Sequence, residues 1–417
     1  MDIETELQRT KPDYVVYKPL SENDRGNEHF LVFDAPDGSL MVIWTQSTYE
    51  GLPDQHIVFA RSDDRGHTWS PPKTIAGPDE HRGMASWAFP MVSHSGRIYV
   101  IYSRHIGIND YSRHVTGLMA GIYSDDNGAT WSEEGIIPMP KSKWDNPAPN
   151  MPANWIVWQK PTRISDGKYF TGMTRWVSPS VRGEPPIDSG TSHASVVEFL
   201  RFENLDENPA PKDLEIRYTA SNDDALQYPF PGYPDVSVIQ EPSLITLPDG
   251  RLFCIMRSSG GHPVYSVSPD EGITWSRPEP LRFQDDGEIL RHPLSPAPIY
   301  DAGQGDSLFF YHVNDGHFEG WTPINALYGV NRRPIYMLHG RYRPDAKQPI
   351  WFSEKKFFMD NDGVFLGHGK GRVDMAMYSS ITLDGDDAII WYPERKYFLL
   401  GKRVTRETIN SMTVPES

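Results

Sequence analysis

The chain has 417 residues, with 40 Lys and Arg against 56 Asp and Glu for a formal net charge of −16. That balance argues against general nucleic-acid binding, which rests on cations neutralising phosphates, and no run approaches the ~20 apolar residues of a membrane helix. One cysteine, Cys254, excludes an intramolecular disulfide framework and a multi-cysteine metal centre.

The N-terminus, Met1-Asp2-Ile3-Glu4-Thr5-Glu6, lacks the basic start and apolar stretch of a signal peptide, so the expectation is a cytoplasmic chain or the mature form of an exported one. Beyond it, helical periodicity is nearly absent. Short runs rich in Val, Ile, Tyr, Phe and Trp alternate with turn residues, which predicts an all-β fold. The first strand pair, 30–34 and 40–44, flanks Pro36-Asp37-Gly38. Equivalent turns follow at Ser95-Gly96, Asp166-Gly167, Asp249-Gly250, 303–305 and Asp384-Gly385.

A second element repeats along the chain. Ser62-Asp63-Asp64-Arg65-Gly66-His67-Thr68-Trp69 returns as Ser124-Asp125-Asp126-Asn127-Gly128-Ala129-Thr130-Trp131 and as Ser268-Pro269-Asp270-Glu271-Gly272-Ile273-Thr274-Trp275. The pattern S-x-D-x-G-x-T-W places Ser and Asp to cap a tight turn, Gly at positive φ and Trp as a wedge between sheets. A degenerate copy is expected around Ser221-Asn222-Asp223-Asp224. Six hairpins at blade-sized spacing predict radial repetition: residues 1–417 as one β-propeller domain with six blades. A seventh is to be sought in 132–158 and 176–235, or where the termini close the ring.

In such a blade the starts of inner strands and the ends of their partners share one face. His29, Lys160, Glu241 and Tyr378 fall at inner-strand starts, and His105, Arg175, Arg257 and His312 at partner ends. His81, Arg82, Tyr111, His114, His292, Arg332 and Arg333 fall in loops of that face. A mouth rich in His, Arg and Tyr suits an anionic, hydroxyl-rich ligand, namely an acidic oligo- or polysaccharide. The sequence requires no cofactor, although a structural calcium ion in the central channel, held by scattered oxygens, would leave no motif. A monomer is expected.

S-x-D-x-G-x-T-W is the Asp-box, and the chain resembles the sialidase-like superfamily of Asp-box (BNR-repeat) propellers. Sialidases hold a substrate carboxylate with three arginines and attack with a tyrosine activated by a glutamate. The segment 241–257 resembles the strand pair carrying the glutamate and second arginine, and Met377-Tyr378-Ser379-Ser380-Ile381-Thr382-Leu383-Asp384-Gly385 resembles the tyrosine strand. The resemblance implies Tyr378 as nucleophile, Glu241 as its base, and Arg257 with Arg332 or Arg333 on the carboxylate. The first arginine position falls at Glu28 or His29, and the following loop offers no clear acid.

The segment 85–105, with Trp87, Tyr102 and His105, resembles propeller-type polysaccharide lyases that act at glucuronate, including rhamnose–glucuronate and ulvan lyases. That resemblance implies β-elimination, with arginine neutralising the uronate carboxylate and His105 or His81, assisted by Tyr378 or Tyr111, moving protons. The substrate-binding set is then Arg163, Arg175, Arg257, Arg332, Arg333 and His29. The lyase is the leading expectation, a sialidase-like exo-glycosidase the second, and a non-catalytic glycan-binding propeller the third.

Overall fold

Each of the six turns marked in the sequence closes an inner hairpin. The computed structural model describes residues 2–78, 83–182, 194–315, 332–366 and 375–416. The inner strand pairs are Gly26–Asp34 with Leu40–Ser47 (blade 1), Ala85–Val92 with Ile98–Arg104 (blade 2), and Thr162–Arg163 with Tyr169–Trp176 (blade 3). Blades 4 to 6 are built on Ile239–Thr246 with Leu252–Ser258, Ile299–Asp301 with Asp306–Tyr311, and Ser380–Asp384 with Asp387–Glu394. Each pair extends outward through antiparallel partners, giving a six-bladed β-propeller. No seventh blade forms among the described residues. The stretch 176–235 supplies the outer strands of blade 3 and half of a small hairpin, Pro229–Phe230 with Tyr233–Ser237. The N-terminal strand Tyr14–Tyr17 pairs with Phe398–Val404 and so completes blade 6.

The three boxes form as their residues dictate. In the first, Asp64 Oδ1 accepts from the Ser62 hydroxyl (2.8 Å) and the Thr68 amide (2.8 Å), and its Oδ2 accepts from the Thr68 hydroxyl (2.6 Å). The glycines need positive φ, and they also lack room for a side chain. A Cβ on Gly66, Gly128 or Gly272 would lie 2.4, 2.3 or 2.2 Å from Trp391, Phe59 or Phe170. Those rings belong to the preceding blades, so the box glycine sets blade-to-blade distance. The tryptophans wedge beside it: Trp69 stands edge-on to Trp391 at 5.8 Å, and Trp275 stacks on Phe199 at 4.1 Å. The expected fourth copy does not form. Residues 222–224 make a 3-10 turn after the last strand of blade 3, Ile216–Thr219, at the wrong end of the blade for a box.

One backbone feature aims residues at the mouth. Three inner strands carry a β-bulge near their start, with a non-glycine residue in the left-handed region: His29 (φ 51°), Trp87 (φ 56°) and Glu241 (φ 54°). Two of them are latched by a threonine of the blade before. Thr45 Oγ1 accepts the Trp87 amide (3.1 Å), and Thr174 Oγ1 accepts that of Glu241 (2.7 Å). Bulges re-aim side chains, and left-handed bulky residues persist only where their surroundings over-determine them.

Candidate active site

Tyr378, just ahead of the inner strand of blade 6, meets the bulge of blade 4. Its hydroxyl donates to Glu241 Oε1 at 2.8 Å, and Arg257 Nη1 lies 2.9 Å from Glu241 Oε2 and 3.4 Å from the Tyr378 oxygen. Arg257 is held by Gln240, whose Oε1 accepts from its Nε and Nη2 (3.1 and 2.5 Å). Tyr378, Glu241, Arg257 and Arg332 are all buried. Trp87 and Trp158 stand edge-on to the tyrosine ring at 5.6 and 6.0 Å, making an apolar cage.

Electrostatics follow from that burial. Desolvation raises the Glu241 carboxyl above its ordinary range, outweighing Arg257, Arg332 and Lys396, which pull it down. Burial, and then the Glu241 charge, raises Tyr378 well above a free phenol. A glutamate made more basic, accepting a hydrogen bond from a buried phenol, is arranged to take that proton when the oxygen attacks.

Beside Tyr378 lies a second polar group built from blades 1, 2 and 6. Lys396 Nζ sits 5.0 Å from the Tyr378 ring centre, 2.7 Å from Glu50 and 3.5 Å from Glu28. Gln55 Nε2 donates to Glu28 Oε1 (2.7 Å), its amide oxygen meets His114 Nδ1 (3.1 Å), and His114 Nε2 faces Glu50 at 3.5 Å. Burial first, then Glu50, pushes the Glu28 carboxyl up to about 7. Glu28, Glu50 and His114 bring ligand-type atoms within 4.8 Å of one another. The Lys396 ammonium lies in the same group, pairing with both carboxylates. Across the central channel, Lys160 reaches from blade 3 to the carbonyls of Val32 (3.2 Å, blade 1) and Ile381 (3.1 Å, blade 6), placing an ammonium among backbone oxygens.

Residues 38–290, more than half of the chain, match the BNR repeat-like domain. The chain belongs to that family. Among solved structures it is similar to the NanB sialidase of Streptococcus pneumoniae (TM-score 0.62, 12% identity, 97% of this chain and 71% of that one). It is equally similar to the leech intramolecular trans-sialidase complexed with 2,7-anhydro-Neu5Ac (0.62, 12%, 96% and 71%). A protein of unknown function from Dyadobacter fermentans also matches (0.62, 13%, 94% and 97%). At these identities the likeness is one of fold. No curated protein matches the sequence.

This BNR-repeat propeller gathers only part of the residue set expected from sequence. Tyr378, Glu241 and Arg257 meet as described, and Arg332 lies close enough to pull both Glu241 and Tyr378 downward, with its Nη2 donating to Leu294 O at 2.8 Å. His29 joins the cage, 4.9 Å from Trp87, but burial holds its imidazole down to about 3, so it is neutral and binds no carboxylate by charge. Its Nε2 donates to Trp158 O (2.8 Å).

The other expected binding arginines are committed elsewhere. Arg163 forks onto Asp206 (2.9 and 2.8 Å) and bonds the carbonyls of Val92 and Gly167, at the turn end of the blades. Arg175 is fully buried between Asp145 (2.7 Å) and Glu198 (2.8 Å). Arg333 forks onto Asp360 (2.8 and 2.5 Å). Each is neutralised by its own carboxylate. His105 Nδ1 bonds Thr116 O at 3.0 Å and touches none of Tyr378, Glu241 or Arg257. His81 lies outside the described residues. Sequence reasoning placed His114 on this face but missed Glu50, which follows the second strand of blade 1, and Lys396.

Proposed function

We propose that this chain is a glycoside hydrolase of the sialidase type, releasing a terminal acidic sugar through a covalent glycosyl-tyrosine. The observation that carries the reading is the Tyr378–Glu241–Arg257 constellation, with hydroxyl and carboxylate 2.8 Å apart in a buried cage. The Tyr378 oxygen attacks the anomeric carbon as Glu241 accepts its proton, and the departing glycan oxygen takes a proton from the Glu28–Glu50 carboxyl pair, whose proton rests on Glu28. Water, deprotonated by the same carboxyl pair, then displaces Tyr378, and Glu241 returns the phenol proton. A neutral phenol approaches an anionic sugar with less repulsion than a carboxylate nucleophile would. Arg332, with Arg257 behind it, faces the sugar's acid group. The neighbouring sialidase structures support a glycan substrate of this kind.

The uronate-lyase reading has less support. Its proton-transfer histidine, His105, is tied to Thr116 and apart from the arginines that would activate the substrate. The test is hydrolysis of a 4-methylumbelliferyl sialoside by wild type, Tyr378→Phe and Glu241→Gln. Tyr378→Phe should lose about 10³-fold or more in kcat, roughly 4 kcal/mol of barrier, with the fold intact by circular dichroism. Fluorophore release at the wild-type rate by both variants refutes the assignment. Ultraviolet absorbance of an unsaturated uronate from glucuronate oligosaccharides, with the sialoside untouched, restores the lyase.

A further inference from the structure

Between blades 4 and 5, on the same face as Tyr378, runs a groove of about 1,000 Å³. One wall is the loop after Ser258, with Gly260, Gly261 and His262, and the other is the end of the second strand of blade 5 with Val313 and Asp315. The outer lip, residues 282–289, is a rigid miniature hairpin. Arg282 Nη1 donates to Gly287 O (2.6 Å), the Phe283 amide donates to Glu288 O (3.1 Å), and Gln348 grips Arg282 through N–H and C=O (2.9 and 2.7 Å). The groove is therefore preformed. Volumes of about 300–1,000 Å³ are those of small-molecule sites, and this one has room for several sugar rings.

Part of its lining is polar and unsatisfied. The Tyr311 hydroxyl is buried with no hydrogen-bond partner among the described residues. A buried hydroxyl left in that state costs stability, so its retention points to an external partner. Arg291, exposed on the lip, carries no side-chain partner among the described residues. Glu288 and Glu354 on the same lining add acceptors that no described side chain engages. Donors and acceptors of both signs around one open volume match a hydroxyl-rich chain better than a simple anion or an apolar ligand.

The groove also joins the candidate active site. Gly260 is three residues beyond Arg257, within about 10 Å along the chain. The Gly261 carbonyl accepts from the His292 amide (3.0 Å), and the His292 ring stacks on His312 at 5.2 Å. Burial lowers both histidines, with Arg332 adding to it at each and Arg257 at His292, so clamp and groove share one packed wall.

We propose that this groove is a glycan subsite that holds the penultimate and further sugars of the substrate, so that the enzyme acts on extended oligosaccharides. The proposal deepens the hydrolase reading and rests on it. Tyr311 lends its hydroxyl to a sugar hydroxyl there, and Arg291 fixes the chain at the lip.

The experiment compares 3′-sialyllactose with the 4-methylumbelliferyl sialoside for wild type, Tyr311→Phe, Arg291→Ala and Ile289→Trp, the last filling the lip. The variants should lose about tenfold in kcat/KM on the trisaccharide, through KM, and change less than twofold on the aryl sialoside. Tyr311→Phe should also raise Tm, since it removes an unpaired buried hydroxyl; a merely structural tyrosine would lower it. Equal losses on both substrates, or none on either, overturn the subsite. If wild type cleaves neither substrate, the hydrolase reading has failed, and the groove is judged by lacto-N-tetraose titration alone. Binding lost in Ile289→Trp then upholds it, and no binding by wild type overturns it.

Discussion

At the scale of single residues, Glu28 is the informative titrating group. Its carboxyl is raised from near 4.5 to about 7, so the folded protein favours the protonated form. The sign follows: the associated stability is present below the unfolded value and is lost as pH rises through 7, when a second charge is forced beside Glu50. Glu28→Gln keeps the acceptor for Gln55 and copies the neutral carboxyl. Wild-type Tm should therefore fall more steeply than that of Glu28→Gln between pH 4.5 and about 7, by differential scanning calorimetry. Parallel curves would show that Glu28 is ionised throughout. The same cluster shows what the sequence hides. Glu50, His114 and Lys396 come from loops of blades 1, 2 and 6, and only ring closure brings them together. Arg163, Arg175 and Arg333 look like ligand-binding arginines in a string of letters, because Asp206, Asp145, Glu198 and Asp360 neutralise them from 23 to 43 residues away. Tyr378, Glu241 and Arg257 were legible because a motif carried them.

At the scale of the element, the turn glycines divide into two physical kinds. Gly38 (φ +84°) closes the inner hairpin of blade 1 with nothing within 4 Å of a would-be Cβ, whereas Gly128 (φ +82°) would drive one into Phe59 at 2.3 Å. Gly38→Ala should cost only the left-handed penalty, about 1–2 kcal/mol. Gly128→Ala adds overpacking between blades and should cost about 2–5 kcal/mol in total. Urea unfolding of the two variants measures the difference, and equal losses would mean that Phe59 moves aside freely. This is why the box was so readable: local capping and inter-blade contact select the same residues, and the pattern survives in three copies. Blade 3 has no box. Its outer connection, 203–215, is built from two 3-10 turns with Asn204 bonding the Glu215 amide (2.9 Å) and the Asp213 carbonyl (3.0 Å), a solution without a repeat signature. The bulges at His29, Trp87 and Glu241 were equally silent, since nothing local in their sequence marks a left-handed backbone held by a neighbouring blade.

At the scale of the whole molecule, the ring is fastened by its N-terminal strand, and the fastening bears on the candidate active site. Tyr14 packs 5.2 Å from both Trp391 and the box residue His67, and its hydroxyl accepts from Arg403 at 2.7 Å. Upstream, the Thr10 hydroxyl meets that of Tyr392 (2.8 Å), and Arg395, fully buried, bonds the Glu6 carboxylate (3.1 Å) and carbonyl (3.0 Å). Arg395 is next to Lys396, which lies over the Tyr378 ring. Deleting residues 2–18 removes an outer strand, uncovers Trp391 and strips Arg395 of one of its carboxylates. Losing a buried ion-pair partner costs about 3–5 kcal/mol, and exposing one aromatic side chain about 1.5–3 more. The truncated chain should melt in a broader transition about 5–9 °C lower, the shift expected when roughly 4.5–8 kcal/mol is lost from a chain of 417 residues. A peptide of residues 2–20 added in trans should restore part of the loss, and Tyr14→Ala should reproduce a fraction of it. Hydrolysis should fall with the deletion even at temperatures where the chain stays folded, because Lys396 loses its fixed neighbour. An unchanged melting curve would place the closure of the ring in the inner contacts between blades 1 and 6 alone.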